Sequence, residues 1–294
     1  MPDKSLFAAI VGKPNVGKST LLNRMLGVRL AIISPKPQTT RNRILGVVTN
    51  GEDQFVFIDT PGFHAPRNRL DAHMVKAVRD SAADVDCALF MTWPKTDFDA
   101  EEQSLLDELF QRKLPVVLVV NKSDTVEAPA GETACAALAV LRPFAGSALI
   151  SALNGDGVDA LTKTLSALAC EGPHMFPDDT LTDIPEKVVV AELIRERLLC
   201  DLSQELPHGC AVNVVRFKER ENRALIDIDA EIVCEKDSHK GMIIGKGGAM
   251  LKKIGSEARA SIESFLDCRV NLQLWVKVRE GWRDKENFIR DFGY

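Results

Sequence analysis

Residues 12–19 read Gly-Lys-Pro-Asn-Val-Gly-Lys-Ser, directly after the apolar run LFAAIV and directly before the helical pattern STLLNRML. This octet, GxxxxGK[ST] in its required context, constrains the fold more than any other feature of the chain. Its glycines let the backbone wrap until several N–H groups point at one centre, and the helix that follows adds the partial positive charge of its N-terminus. Such a cradle needs strand, loop and helix in that order. Gly12, Lys13, Pro14, Asn15, Val16, Gly17, Lys18, Ser19 and Thr20 are therefore candidate phosphate ligands. In this chemistry the Lys18 ammonium reaches the β and γ phosphates and the Ser19 hydroxyl faces Mg²⁺.

The rest of the first half supplies the sheet that such a loop requires. Strands are expected at LFAAIV, ILGVVT, QFVFID, CALFM, PVVLVV and SALI, and helices starting near Ser19, Asp71, Glu101, Gly131 and Val158. Alternation of this kind predicts an α/β domain, with a mostly parallel sheet and helices on both faces. Asn50-Gly51 between two of the strands is a hairpin signal, so one edge strand should run antiparallel. The alternation stops near Cys170. Residues 172–186 hold Pro173, Pro177 and Pro185 with little periodicity, and read as a linker. The expected division is residues 1–171, the linker 172–186, and a second, smaller α+β domain over 187–294. A chain of 294 residues has room for a core in each.

Charge separates the two parts as well. Residues 1–186 carry 18 Lys and Arg against 24 Asp and Glu, whereas 187–294 carry 19 against 18. Within the second part, residues 236–259 hold six basic and two acidic side chains, which hints at a separate task. The seven cysteines are scattered and form no CxxC, so a reducing compartment and buried apolar roles fit better than a disulfide framework or a zinc cage. The five histidines show no ligand spacing. No apolar run approaches the length of a bilayer span, and a cytoplasmic chain is expected. The helical stretch VVVAELIRERLL reads as packing rather than as a membrane anchor.

Three further motifs close expected strands of the first half. Asp59-Thr60-Pro61-Gly62 ends QFVFID, where a carboxylate can hold Mg²⁺ through a coordinated water and the Gly62 N–H is free to approach a γ-phosphate. Asn121-Lys122-Ser123-Asp124 follows PVVLVV. The Asp124 carboxylate can accept both N1–H and the 2-amino group of guanine, whereas adenine offers neither. Such a site rejects the wrong base by about 10⁴-fold or more. Ser151-Ala152 follows SALI and can supply a backbone N–H to the guanine O6. Ligands of open α/β sheets bind at these strand ends.

Taken together, residues 5–170 resemble the translation-factor-related branch of the P-loop GTPases. The resemblance implies GTP hydrolysis with Mg²⁺, and Lys18, Thr40 and Gly62 as catalytic groups. It places Gln38-Thr39-Thr40-Arg41 in the first switch loop, with one of the two threonines as a metal ligand and Thr40 favoured. Ser19, Thr40 and Asp59 then form the metal set. Phe63 stands where many such enzymes carry a water-positioning glutamine, so intrinsic hydrolysis should be slow unless a main-chain group, a partner or a cation helps. In some relatives the asparagine matching Asn15 ligates K⁺, which makes K⁺ a second expected cofactor.

In the second domain, Gly245-Lys246-Gly247-Gly248 spells GxxG within a basic stretch. Lys240, Lys246, Lys252 and Lys253 add charge, and Ile243, Ile244, Met250 and Ile254 have the spacing of a groove floor. The expected order is helix, two strands, GxxG, two helices and a strand. It resembles a KH module of the bacterial (type II) kind, whose loop presses on four nucleotides of single-stranded backbone. A P-loop GTPase domain followed by a KH module, ending WRDKENFIRDFGY, resembles the Era family of bacterial GTPases over nearly the whole chain. That resemblance implies a monomer that binds the 3′ end of small-subunit ribosomal RNA, assists assembly of that subunit, and associates loosely with the inner membrane. Two other classes stay open: an RNA chaperone that uses nucleotide only structurally, and a membrane-signalling GTPase whose KH-like domain docks a protein.

Overall fold

The structure, a computed structural model, describes residues 2–34, 36, 39–41, 43–60, 69–70, 85–202, 206–220 and 225–292. The helix expected near Asp71 lies outside them, as do Gln38, Pro61, Gly62, Phe63, His64 and His73. The chain forms two compact units. The first takes the described residues of 1–28, 40–65 and 74–183, and the second takes those of 29–39, 66–73 and 184–294.

The first unit is built on β1 (Lys4–Gly12), β2 (Ile44–Asn50), β3 (Asp53–Asp59), β4 (Cys87–Thr92), β5 (Val116–Val120), β6 (Gly146–Leu149) and the short β7 (Cys170–Glu171). The sheet order is β2-β3-β1-β4-β5-β6, with β7 antiparallel to β1. From β3 to β6 every pairing on this path is parallel, and β2 runs antiparallel to β3 as the hairpin signal requires. Asn50 is the last residue of β2, and Gly51, with φ of 61°, opens the two-residue connection. The helices are α1 (Lys18–Leu26), α2 (Ala100–Gln111), α3 (Ala128–Ala139) and α4 (Val158–Leu168). Strands β4 and β5 are buried at every residue, as parallel strands covered on both faces must be. On one face Val11, Phe90, Leu118 and Val120 pack with Leu105, Leu106 and Leu109 of α2 and Leu138 of α3.

Residues 172–183, read as linker from sequence, belong to the first unit and pack along its outer edge. Val47 N–H donates to Leu181 C=O at 2.9 Å, and Thr182 Oγ1 donates to Leu45 C=O at 2.6 Å. The Gln54 amide bonds the backbone of Met175 and Phe176 from both ends, at 2.8–3.0 Å. Phe176 covers Leu45, Val47 and Val56. Prolines deny this strap a ladder of its own, yet its carbonyls still satisfy donors of the β2 edge.

The second unit runs α5 (Glu186–Asp201), β8 (Ala211–Glu219), β9 (Leu225–Cys234), α6 (Asp237–Ile244), α7 (Ala249–Leu266), β10 (Arg269–Val278) and α8 (Glu286–Asp291). Its sheet is β10-β9-β8, with β9 parallel to β10 and antiparallel to β8. The GxxG turn therefore lies between two helices, not before both as the sequence suggested. Gly241 inside the short α6 hides that helix from a propensity reading, and α7 runs unbroken through Gly255. Val189, Val190, Leu193, Ile194, Leu198 and Leu199 of α5 are buried, so this stretch is packing. Among the described residues no helix is long and apolar enough to cross a membrane. Trp282 closes the core: it is fully buried, and its indole N–H donates to Gly209 C=O at 2.9 Å.

Candidate nucleotide and RNA sites

The described residues of all four motifs of the first unit stand at the C-terminal edge of its parallel strands. The octet follows β1, where the sheet order reverses between β3 and β4, which is the position that favours ligand binding in open α/β sheets. Gly17 has φ of 102°, and a Cβ there would overlap the Asn121 side-chain amide. Asn121 Nδ2 donates to Val16 C=O at 2.8 Å, and Asn121 Oδ1 accepts the Ala152 N–H at 2.9 Å. One buried amide thus joins the octet to the two loops expected to read a base. The Ala152 N–H, expected at a guanine O6, is the group that Asn121 holds here. Ser151 Oγ donates to Asp124 Oδ1 at 2.6 Å and orients an exposed carboxylate.

Lys18 is buried, and its ammonium donates to the carbonyls of Gly12 and Lys13 at 3.0 and 2.9 Å. Burial pulls its pKa down to about 8, with the nearby Asp59 opposing. The same burial pushes the Asp59 carboxyl up to about 6 against the pull of Lys18. Ser19 Oγ donates to Asp59 Oδ2 at 2.7 Å and lies 2.9 Å from Thr40 Oγ1. Asp59 Oδ1 is buried with no hydrogen-bond partner. Two hydroxyls around a carboxylate with one unsatisfied oxygen form an all-oxygen donor set of the kind that suits Mg²⁺. Ser19, Thr40 and Asp59, the three expected metal ligands, are thus within hydrogen-bond reach of one another. Thr60 is buried, with its hydroxyl turned to Ile10 C=O at 2.8 Å.

Sequence reasoning missed several supports. Lys13 points away from the cradle: its ammonium lies 2.9 Å from both Asp99 and Glu101. Asp99 is the N-cap of α2 in a capping box with Glu102, so this pair ties the loop to a helix start. Arg24 of α1 donates to Ala152 C=O at 3.2 Å and also to Leu153 C=O. The motif D-x-x-E at 99–102 was the legible signal; nothing in the sequence singled out Arg24.

In the second unit the GxxG loop stands clear. Lys246 and Gly247 are exposed, and nothing lies within 4 Å of where a Cβ on Gly247 or Gly248 would stand. Gly245 is different: a Cβ there would press on Met250, which locks the turn against α7. Lys240, Lys246 and Lys252 make no ion pair with a described residue, whereas Lys253 is engaged by Asp201 and Glu257. Ile243 and Ile254 are fully buried and support the loop from within the core, which leaves Ile244 and Met250, half-buried, as the apolar surface beside it. No cluster of metal-ligating side chains occurs among the described residues apart from the nucleotide site.

Comparison with known proteins agrees with this division. A family described as "50S ribosome-binding GTPase" matches residues 7–122, and the KH domain family matches residues 205–283. GTPase Era of Caldanaerobacter subterraneus is 48% identical over 288 residues, covering 98% of this chain and 97% of its own. GTPase Era of Ruminiclostridium cellulolyticum is 47% identical over 294 residues, covering 100% and 98%. Among solved structures, a substituted form of Aquifex aeolicus Era bound to GDP·AlF₄⁻ superposes with a TM-score of 0.94 at 37% identity, covering 99% of each chain. Era in complex with MgGDPNP and nucleotides 1506–1542 of 16S ribosomal RNA gives 0.94 at 36%, with the same coverage.

Proposed function

The chain belongs to the Era family of GTPases and hydrolyses GTP, and on that premise we propose that it holds the 3′ end of small-subunit ribosomal RNA on its KH unit and assists assembly of that subunit. The observation that carries the RNA reading is the open GxxG loop, with unencumbered glycines and an exposed lysine at the start of an 18-residue helix. Full-length likeness to an Era that binds MgGDPNP and the 16S end supports the choice of RNA.

In the nucleotide site Lys18 leaves the Gly12 and Lys13 carbonyls for the β and γ phosphates, while the loop amides take the remaining oxygens. Ser19, Thr40 and Asp59 would hold Mg²⁺, which neutralises charge between the β and γ phosphates when bound. Asp124, oriented by Ser151, selects guanine, and Asn121 keeps the two halves of the site in register. Gly62 would offer its backbone N–H to the γ-phosphate. Phe63 offers no donor or acceptor to the attacking water, so the rate in isolation is slow, of the order of the 10⁻⁴ s⁻¹ of an unassisted switch. Asn15, held at φ of 63° on the rim of the loop, is the candidate K⁺ ligand.

The test is co-sedimentation with separated ribosomal subunits, with crosslinking to identify the RNA. Recovery on the small subunit with its 3′ end crosslinked supports the reading. Recovery on the large subunit, or on lipid vesicles alone, would replace it. Turnover measured in KCl and in NaCl checks the cation: equal rates remove K⁺.

A further inference from the structure

Helix α5 carries two charged side chains with 0% exposure, Arg195 and Glu196, and the nucleotide chemistry uses neither. Both grip one loop. Glu196 Oε1 accepts from Arg29 at 2.6 Å and from the Ile33 N–H at 2.8 Å. Arg195 donates to the Thr39 carbonyl while Glu192 holds its Nε at 2.8 Å. Lys36 donates to the Leu202 carbonyl just past the helix. All of these partners belong to the second unit. The next peptide bond leads from Thr39 into Thr40, which belongs to the first unit and stands 2.9 Å from Ser19 Oγ.

The grip continues on the far side of α5. Arg197 lies 3.2 Å from Glu196 and 3.4 Å from Glu257 of α7, and Asp201 accepts from Lys253 of α7. Helix α7 is the one that the GxxG turn opens. A continuous set of ion pairs therefore runs from the loop before Thr40 to the helix behind the RNA loop. Apolar side chains would bury a helix face at less desolvation cost. A buried carboxylate and guanidinium instead make the loss of a partner costly, because it leaves a buried charge uncompensated.

We propose that Arg195 and Glu196 are positioning residues for the nucleotide site, holding residues 29–39 from the KH unit so that engagement of Thr40 by Mg²⁺–GTP and the state of α5 and α7 depend on one another. The proposal rests on the reading that Thr40 meets Mg²⁺ and that residues 245–248 meet RNA. It assigns the mechanical link between nucleotide and RNA to the α5 charges.

The experiment measures the affinity of the full chain for single-stranded RNA of the small-subunit 3′ end, with and without Mg²⁺–GDPNP. The ratio is the coupling, expected to lie in the range of about 5- to 150-fold. Arg195→Met and Glu196→Gln should bring it to within about twofold of unity, while GDP affinity in EDTA and RNA affinity without nucleotide stay near wild type. Arg195→Lys, which keeps the charge but loses the fork, should fall between. Arg29→Ala removes one partner of Glu196 from an exposed side chain, and should lower the coupling even if the α5 variants fail to fold. Thr40→Ala separates the layers. If it abolishes coupling while Arg195→Met and Arg29→Ala leave it intact, the grip is overturned and the metal-ligand reading stands. If Thr40→Ala changes nothing, that reading falls and takes the proposal with it. A wild-type chain without coupling overturns the proposal directly.

Discussion

At Gly17 there is no room for a methyl group; at Gly247 nothing lies within 4 Å of where one would stand. That contrast runs through the two sites. The nucleotide site is an interior, in which Lys18, Asp59, Thr60, Asn121 and Ser151 are buried and bonded to one another's loops. The KH loop is a surface made by leaving things out. A ligand that must be read atom by atom, with its charge stabilised, needs prepared partners at fixed distances, whereas an RNA backbone needs only close approach and positive charge. Changes in the first site should therefore reach stability and function together, and changes in the second should reach function alone.

The largest expected effect is a direct test of this contrast. Gly17→Ala combines a strained φ with overlap on Asn121, and should cost roughly 2–4 kcal/mol of stability as well as nucleotide binding. Gly247→Asp meets open space in a conformation that Asp tolerates, and places a carboxylate against RNA. Its RNA affinity should fall by about 100-fold or more, because like charges near a surface repel by several kcal/mol before screening. Its melting temperature should stay within about 2 °C of wild type. Calorimetry on the pair decides: equal losses of stability would end the distinction.

Asp124→Asn comes next. It exchanges a charged double acceptor for an amide, whose oxygen can still accept from Ser151 Oγ but whose NH₂ can only donate to the base. Guanine affinity should drop by about 1.5–3 kcal/mol and xanthine should become the better ligand. Competition between GDP and XDP reads this out. An unchanged preference would mean that the base is selected elsewhere.

A smaller effect concerns pH. The folded pKa of Asp59, about 6, lies above the ordinary aspartate value of 3.8. The native state without nucleotide therefore binds the extra proton, and this group's contribution is present below the unfolded pKa and lost as pH rises through about 6. Each tenfold difference in proton affinity is worth about 1.4 kcal/mol. Nucleotide-free protein should lose stability from pH 4 to 6 relative to Asp59→Asn. If the two unfolding curves run parallel across that window, Asp59 is not strained. The smallest effect separates two neighbouring lysines. Lys252→Ala should weaken RNA binding a few-fold and reduce its salt slope by about one. Lys253→Ala should do less to RNA, since Asp201 and Glu257 already hold that charge.

What could be read from sequence follows the same division. Six of the seven strands of the first unit were legible, the central β4 and β5 most plainly, because parallel strands buried on both faces leave continuous apolar runs. The octet, Asp59 and Asn121–Asp124 stand out in the sequence because a phosphate or a guanine would restrict which residue types work there, and the structure brings them to one edge of the sheet. The supports were not. Arg24 bonds carbonyls that any donor could bond, and the Lys13 side chain pairs with acids at the start of α2 while its backbone stays in the octet. Arg195 and Glu196 carried a signal that was passed over. Glu196 lies seven residues after Val189 and three after Leu193, on the same stripe of α5, where a charged residue needs an explanation. The strap of 172–183 looked loose because prolines and acidic residues suppress periodicity, while its bonds come from its carbonyls and amides.

The grip of α5 on residues 29–39 also sets an order of events during synthesis. Ile33 finds its acceptor, Glu196, 163 residues later in the chain. At about 5–20 residues per second, the ribosome takes roughly 8–33 s to make that stretch. Strands β1 to β6 are complete by residue 149, so the first sheet can assemble while this early loop has no buried partner to meet. A newborn chain should thus pass through a period in which the phosphate cradle exists but the segment leading to Thr40 is untethered. Arrested nascent chains cut short of residue 186 should bind GDP and yet expose residues 29–39 to protease, and chains extended beyond Tyr294 by a tunnel-spanning linker should protect them.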